Sequence, residues 1–190
     1  MRRLTYYVAV SLDGRIAGPG GDFSAFPVEG DHIETILTEW RDTLPAPALD
    51  ALGLQADHRH FDSVLMGWNT YAAGFSHGLR DPYPQHEQIV FSRTRAPDEV
   101  APGIRLTAED PAAVVRRLKA AGGAGIWLCG GGRLATALAD EIDHLVLKVN
   151  PLVLGEGPTL FAGPYQPRRF QHVASTPYRS GVVVTEYARR

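Results

Sequence analysis

At 190 residues, with 44% hydrophobic and 21% charged side chains, the chain has the composition of one globular domain over residues 1–190, able to bury roughly 70% of its unfolded surface. A formal net charge of −2 without a basic run argues against a nucleic-acid footprint, and the one cysteine, Cys129, excludes an intramolecular disulfide. No apolar stretch is long enough to cross a bilayer, so the expectation is a cytoplasmic protein that handles small molecules rather than nucleic acid or membrane.

In chain order, Leu4 to Ser11 is rich in β-branched and aromatic residues and reads as a strand. A long glycine-punctuated loop, Ser11 to Gly21, leaves it, and loops of that length tend to be functional or mobile. Ile33, Ile36, Leu37 and Trp40 recur at helical spacing, with Asp31 where an N-cap carboxylate is stabilising. Leu44 to Arg59 carries prolines and scattered leucines and is expected to be an irregular insertion with one helical turn. Phe61 to Met66 is a strand stopped by Gly67, and Trp68 to Tyr71 opens a short helix. Gln88 to Ser92 and Ile104 to Leu106 are further strands; Asp110 and Pro111 then supply an N-cap and an N1 proline for a helix with Val114, Val115 and Leu118 inward.

The next segment, Ile126-Trp127-Leu128-Cys129-Gly130-Gly131-Gly132-Arg133-Leu134-Ala135, is a short strand emptying into three glycines with a helix directly behind them. Residues without a Cβ let the chain turn sharply and let another group approach the main chain, and a helix N-terminus presents free N–H groups to an anion. Taken alone, the run fits a plain strand-to-helix turn equally well. His144 to Val149 is another strand, and Phe170 to Ser175 with Val182 to Tyr187 reads as an antiparallel hairpin.

Strands alternating with helices predict a three-layer α/β fold with a mostly parallel central sheet and the antiparallel hairpin at its edge. In such sheets ligands bind beyond the carboxyl ends of the strands. Ser11-Leu12-Asp13-Gly14, Gly67-Trp68-Asn69-Thr70, Ser92-Arg93-Thr94 and Cys129-Gly130-Gly131-Gly132 all fall at such ends, which favours a phosphate-bearing ligand.

With those segments in order, together with Pro151-Leu152-Val153-Leu154-Gly155-Glu156-Gly157, the sequence resembles the dihydrofolate reductase superfamily. It is more closely similar to free-standing domains like the C-terminal pyrimidine reductase of the riboflavin-biosynthesis deaminase-reductase. The resemblance implies a dihydrofolate-reductase-like fold that binds NADPH. Gly130, Gly131 and Gly132, with Arg133 and Leu134, would seat its pyrophosphate; Gly67 and Thr70 would line the same cleft; and Ser92, Arg93 and Thr94 would lie near the adenosine 2′-phosphate. Arg93 offers a planar fork suited to a phosphate dianion. Trp68 stands where many relatives carry arginine, so NADH or a deazaflavin stay open as alternatives. The implied activity is an NAD(P)H-dependent reductase passing a hydride to a C=N or C=O bond of a small pterin-like or pyrimidine-like heterocycle; the alternative is a non-catalytic nucleotide-binding protein on the same fold. A homodimer is implied by the resemblance only.

Asp13, Asp31 and Glu156 are the catalytic candidates. The resemblance implies an acid near the first helix that accepts two parallel hydrogen bonds from an amidine-like substrate edge; of Glu29, Asp31 and Glu34, Asp31 has the best position, although an acid there also suits a helix cap. Asp13 can orient nicotinamide or substrate or simply make an Asp-Gly turn, and Glu156 resembles a substrate-side position. The histidines have no metal-ligand spacing, so no metal is expected.

Overall fold

The computed structural model describes residues 1–190. Its strands are β1 Leu4–Val10, β2 Phe61–Gly67, β3 Glu87–Phe91, β4 Arg105–Thr107, β5 Gly125–Gly130, β6 His144–Val149, β7 Phe170–Pro177 and β8 Val183–Arg189. The helices are α1 Asp31–Glu39, α2 Ala46–Leu52, α3 Trp68–Ala72, α4 Pro111–Ala120 and α5 Gly132–Ala137. The strands form one eight-stranded sheet in the order β4-β3-β2-β5-β1-β6-β8-β7. β1 to β6 run parallel, and β8 and β7 pair antiparallel at one edge, as the sequence predicts.

Alternation along the strands divides the core between the two sheet faces. Leu4, Tyr6 and Val8 of β1 pack with Ile126 and Leu128 of β5 beneath Val114, Val115 and Leu118 of α4 and Leu134 of α5. On the other face Tyr7, Trp127, Val146 and Val64 pack with Tyr71 of α3 and with Trp40 at the end of α1. Asp110 caps α4 through the Ala113 amide at 3.1 Å. Cys129 is half-buried beside Tyr83, and burial pushes its thiol up to about 12, which fits a structural filler.

The expectation of an irregular stretch from Leu44 to Arg59 needs correction, because α2 occupies Ala46–Leu52. Its prolines start the helix instead of breaking it. Pro45 is the N-cap, Pro47 lies in the first turn where no amide partner is needed, and Gly53 closes the helix with a left-handed φ of 63°. A second feature follows from Asp42, which is fully buried just before α2 and accepts the amides of His60 at 2.7 Å and Phe61 at 2.8 Å. That carboxylate fixes where β2 begins. Asp42→Ala leaves two inward amides unpaired and is expected to cost about 2–4 kcal/mol in urea unfolding; a loss below about 0.5 kcal/mol would show that the clamp carries no load.

Candidate functional site

Because β1, β2, β3, β5 and β6 point the same way, Val10, Gly67, Phe91, Gly130 and Val149 end at one rim, and the loops that follow them meet there. β5 lies between β1 and β2 and hands the chain to α5 at the middle of that rim. Gly130 has a φ of 137°, and the Gly130–Gly131 peptide is cis. Thr70 of α3 faces this turn, with Oγ1 3.7 Å and 3.5 Å from where a Cβ would stand on Gly130 and Gly131. The amides of Gly132, Arg133 and Leu134 have no acceptor in the chain.

The three glycines are not equivalent. A Cβ on Gly132 would overlap the Thr159 carbonyl oxygen, so close packing of the chain on itself explains that glycine. Gly67 is the N-cap of α3, and a Cβ there would meet only the Gly130–Gly131 backbone, at 3.7–3.8 Å. Leu134 has its side chain in the core, so only its amide reaches the rim, whereas the Arg133 side chain is exposed.

Beyond β3, Ser92 is held by its amide to Thr107 O at 3.0 Å, and its hydroxyl accepts the Thr94 amide at 3.3 Å. Arg93 projects from this turn, exposed and without a carboxylate partner. Trp68 is not bare: Tyr71 and Phe75 meet it edge-on, and the Arg95 guanidinium lies 4.6 Å over its ring. Trp68 therefore has a cation beside it, supplied by the segment after β3.

Two of the three candidate acids are already engaged. Asp13 accepts from the amides of Leu154 at 3.1 Å and Gly155 at 2.8 Å and from the Ser11 hydroxyl at 2.5 Å. These bonds, led by the one from Ser11, hold its pKa down at about 2. Ile16 and Leu160 add backbone bonds between the same two loops, and Arg15 reaches Gly157 O at 2.9 Å. The Ser11 to Gly18 stretch is thus stapled to the loop after β6. Asp31 does not cap its own helix: Gly30 is the N-cap, and the Asp31 carboxylate accepts Arg179 and Ser180 amides at 2.8 Å and 3.0 Å from the β7–β8 turn. Its pKa is likewise lowered to about 2, chiefly by the Arg179 amide. Glu156 is exposed on the rim loop, with its carboxylate unpaired.

One ionisable side chain on this part of the sheet went unremarked in the sequence. Lys148, opposite Ala9 in the β1–β6 register, is half-buried with no carboxylate partner; its ammonium lies 4.4 Å over the Tyr7 ring, and burial lowers its pKa to about 8. A lysine inside the apolar run His144-Leu145-Val146-Leu147-Lys148-Val149 is the sequence signal that points to it. No cluster of three or more metal-ligating side chains occurs, and no helix is long and apolar enough to cross a membrane. A cleft of about 740 Å³ lies at the opposite ends of the strands, among Arg3, Trp40, His60 and Gly125.

The eight-stranded sheet with its antiparallel edge defines a protein of the dihydrofolate-reductase-like fold. Enterococcus faecalis dihydrofolate reductase complexed with NADP(H) superposes with a TM-score of 0.67 at 16% identity, over 99% of this chain and 96% of that one. A Shewanella sp. PV-4 protein assigned to riboflavin biosynthesis superposes at 0.70 with 24% identity, over 100% and 99% of the two chains. Within that fold the chain belongs to the RibD C-terminal domain family, whose profile matches residues 2–184. It is also 29% identical to the uncharacterized protein YwjB of Bacillus subtilis over 166 residues, covering 84% of this chain and 83% of that one. The bifunctional deaminase/5-amino-6-(5-phosphoribosylamino)uracil reductase of Thermotoga maritima superposes at 0.65 with 16% identity, over 100% of this chain but 57% of that one.

The Asp13 clasp has a defined acid limit. With its pKa depressed to about 2, its contribution is fully present above the ordinary carboxyl range near pH ~4 and is lost as the pH falls through about 2. In Asp13→Ala at neutral pH, exchange of the Leu154 and Gly155 amides is expected to rise severalfold by NMR; unchanged rates would show that the two loops are held by other contacts.

Proposed function

We propose that the protein is an NADPH-dependent reductase that passes a hydride to a C=N or C=O bond of a small pterin-like or pyrimidine-like heterocycle. The observation that carries this reading is the meeting of three anion-suited features at one rim: the free amides at the start of α5, the Thr70 hydroxyl against Gly130 and Gly131, and the unpaired Arg93 beside Ser92 and Thr94. The donor groups fit a dinucleotide, with hydroxyl and amide donors for the pyrophosphate and a guanidinium fork for a 2′-phosphate. Family membership and the reductase relatives support the same assignment.

The bound nicotinamide would supply the hydride, and the protein's part is to hold donor and acceptor in reacting geometry and to manage charge. Gly130 and Gly131 leave the main chain bare for close approach, while Trp68 and Arg95 form a cation–aromatic wall on the Arg93 side. On the acceptor side, Lys148 is the group able to give a proton to the oxygen or nitrogen that gains charge as the hydride arrives. Its lowered pKa of about 8 keeps it protonated at neutral pH yet ready to release the proton. Glu156 is the candidate acid left free to meet a substrate. We place the protein in the cytoplasm, as its sequence suggests, and take it as a homodimer on the family resemblance alone.

A second reading, a nucleotide-binding protein without turnover, is favoured by one observation: Asp13 and Asp31 are both committed to backbone amides. Cofactor oxidation with any member of a pterin, aminopyrimidine and quinone panel would rule it out.

Arg93→Ala is expected to weaken NADPH binding roughly ten- to a hundredfold, the scale of one charge-assisted contact, while NADH changes by less than about twofold. Titration calorimetry with both cofactors measures this. Equal losses for the two would overturn the 2′-phosphate assignment, and failure of both to bind the wild-type protein would overturn the reductase reading.

A further inference from the structure

We propose that an opening on the sheet face beside the glycine turn, floored by Ala9, Cys129 and Lys148, is where the acceptor binds. Lys148 makes it selective for a heterocycle that turns an oxo group or oxyanion inward, over one that presents an amidine edge. Naming the occupant as the hydride acceptor rests on the reductase reading above; the opening and its charge do not.

β1 lies in the middle of the sheet between β5 and β6, and Ala9 is the only one of its residues that is not buried. Lys148 of β6 stands opposite Ala9, with the buried Val184 of β8 on its other side. On β5, Leu128 pairs with Tyr6, so Cys129 comes level with Tyr7; both pack on the face that carries the Lys148 ammonium. Ala9 points to that face as well, two residues on from Tyr7. Ala9, Cys129 and Lys148 are each half-exposed, whereas Tyr7 is buried with Trp40 against it, ring centroids 4.8 Å apart. The covering layer therefore stops short of the carboxyl ends of three adjacent strands, and Gly130 follows Cys129 directly.

One charge governs this floor. The Lys148 ammonium has the Tyr7 ring 4.4 Å away but no hydrogen-bond acceptor, and the sole ionisable group acting on it is the Cys129 thiol, which burial keeps neutral. Glu186, two residues along β8 from Val184, turns to His144 at 3.4 Å. Asp13 and Asp31 have both oxygens committed to backbone amides, and Glu29 and Glu34 are exposed. Glu156 stands outside the opening on the exposed loop after β6, where water competes for its hydrogen bonds.

An ammonium partly withdrawn from water and lacking an acceptor is satisfied by an oxo oxygen, and more strongly by an oxyanion. An amidine edge offers N–H donors, which call for a carboxylate. Set against an ammonium they meet donor with donor, and groups on both sides stay unsatisfied. The floor itself is an alanine methyl and a thiol, which suit the flat face of a ring and add no competing charge.

Calorimetric titration with pteridine-2,4-dione and pteridine-2,4-diamine, rings that carry oxo or amino groups at the same positions, tests this. The chains are wild type, Lys148→Met, Ala9→Leu and Glu156→Gln. The dione is expected to bind saturably and about tenfold or more tighter than the diamine, the scale of one unmatched buried contact. Lys148→Met is expected to abolish that preference, Ala9→Leu to fill the opening and weaken both rings by about tenfold, and Glu156→Gln to change the ratio by less than about twofold. Lys148→Gln serves the same purpose should the methionine perturb folding. Absence of dione binding, a diamine preference, a preference that survives Lys148→Met or is lost in Glu156→Gln, or dione binding untouched by Ala9→Leu would each overturn the proposal. Binding needs no turnover, so the two readings fail separately. A Lys148-dependent dione site without oxidation of NADPH by any acceptor would leave the site standing and sink the reductase reading; NADPH oxidation without the Lys148-dependent preference would do the reverse.

Discussion

Parallel pairing of β1 between β5 and β6 is the constraint on which the rest of the molecule hangs. Parallel neighbours cannot be joined by a tight turn, so each connection must cross a sheet face and re-enter at the amino end. Outgoing loops therefore gather at one rim and returning segments at the other, whatever their distance in sequence. Residues as remote as Asp13, Thr70, Arg93 and Gly131 share the first rim, and Arg3, His60 and Gly123 share the second.

Aspartates hold these gatherings in place. Asp13 accepts amides from the loop after β6, Asp31 from the β7–β8 turn, Asp42 from the start of β2, Asp62 from Ala124, and Asp143 from Leu4. Each joins segments at least 18 residues apart, so each fixes tertiary placement instead of local shape. A short carboxylate suits the task, because it loses little rotamer freedom when fixed and its two oxygens can serve two amides at once. The same commitment occupies both oxygens of Asp13 and of Asp31, whereas the Glu156 carboxylate is unpaired and Lys148 has no carboxylate partner.

Much of the fold is legible in the sequence because burial imposes a pattern. Continuous apolar runs mark the parallel strands, Asp110-Pro111 marks the start of α4, and Pro177 to Gly181 marks the hairpin turn. The positions of Gly67, Ser92 and Gly130 at one rim follow from strand order alone. α2 is hidden because proline both starts and breaks helices, and only the position within the turn tells which. The partners of Asp13 and Asp31 are 142 and 148 residues away, beyond any local pattern. Nothing in a run of three glycines says that Gly132 answers to the Thr159 carbonyl while Gly131 faces the Thr70 hydroxyl.

That contact between Gly132 and Thr159 is main chain against main chain, without a rotatable side chain between them to absorb movement. The loop that carries Thr159 is also the one fastened to Asp13 and followed by the Ala162 amide bond to Gly132 O at 3.2 Å. The two halves of the rim therefore share a backbone partition, and a sequence change that moves the loop beside Glu156 bears directly on the first turn of α5.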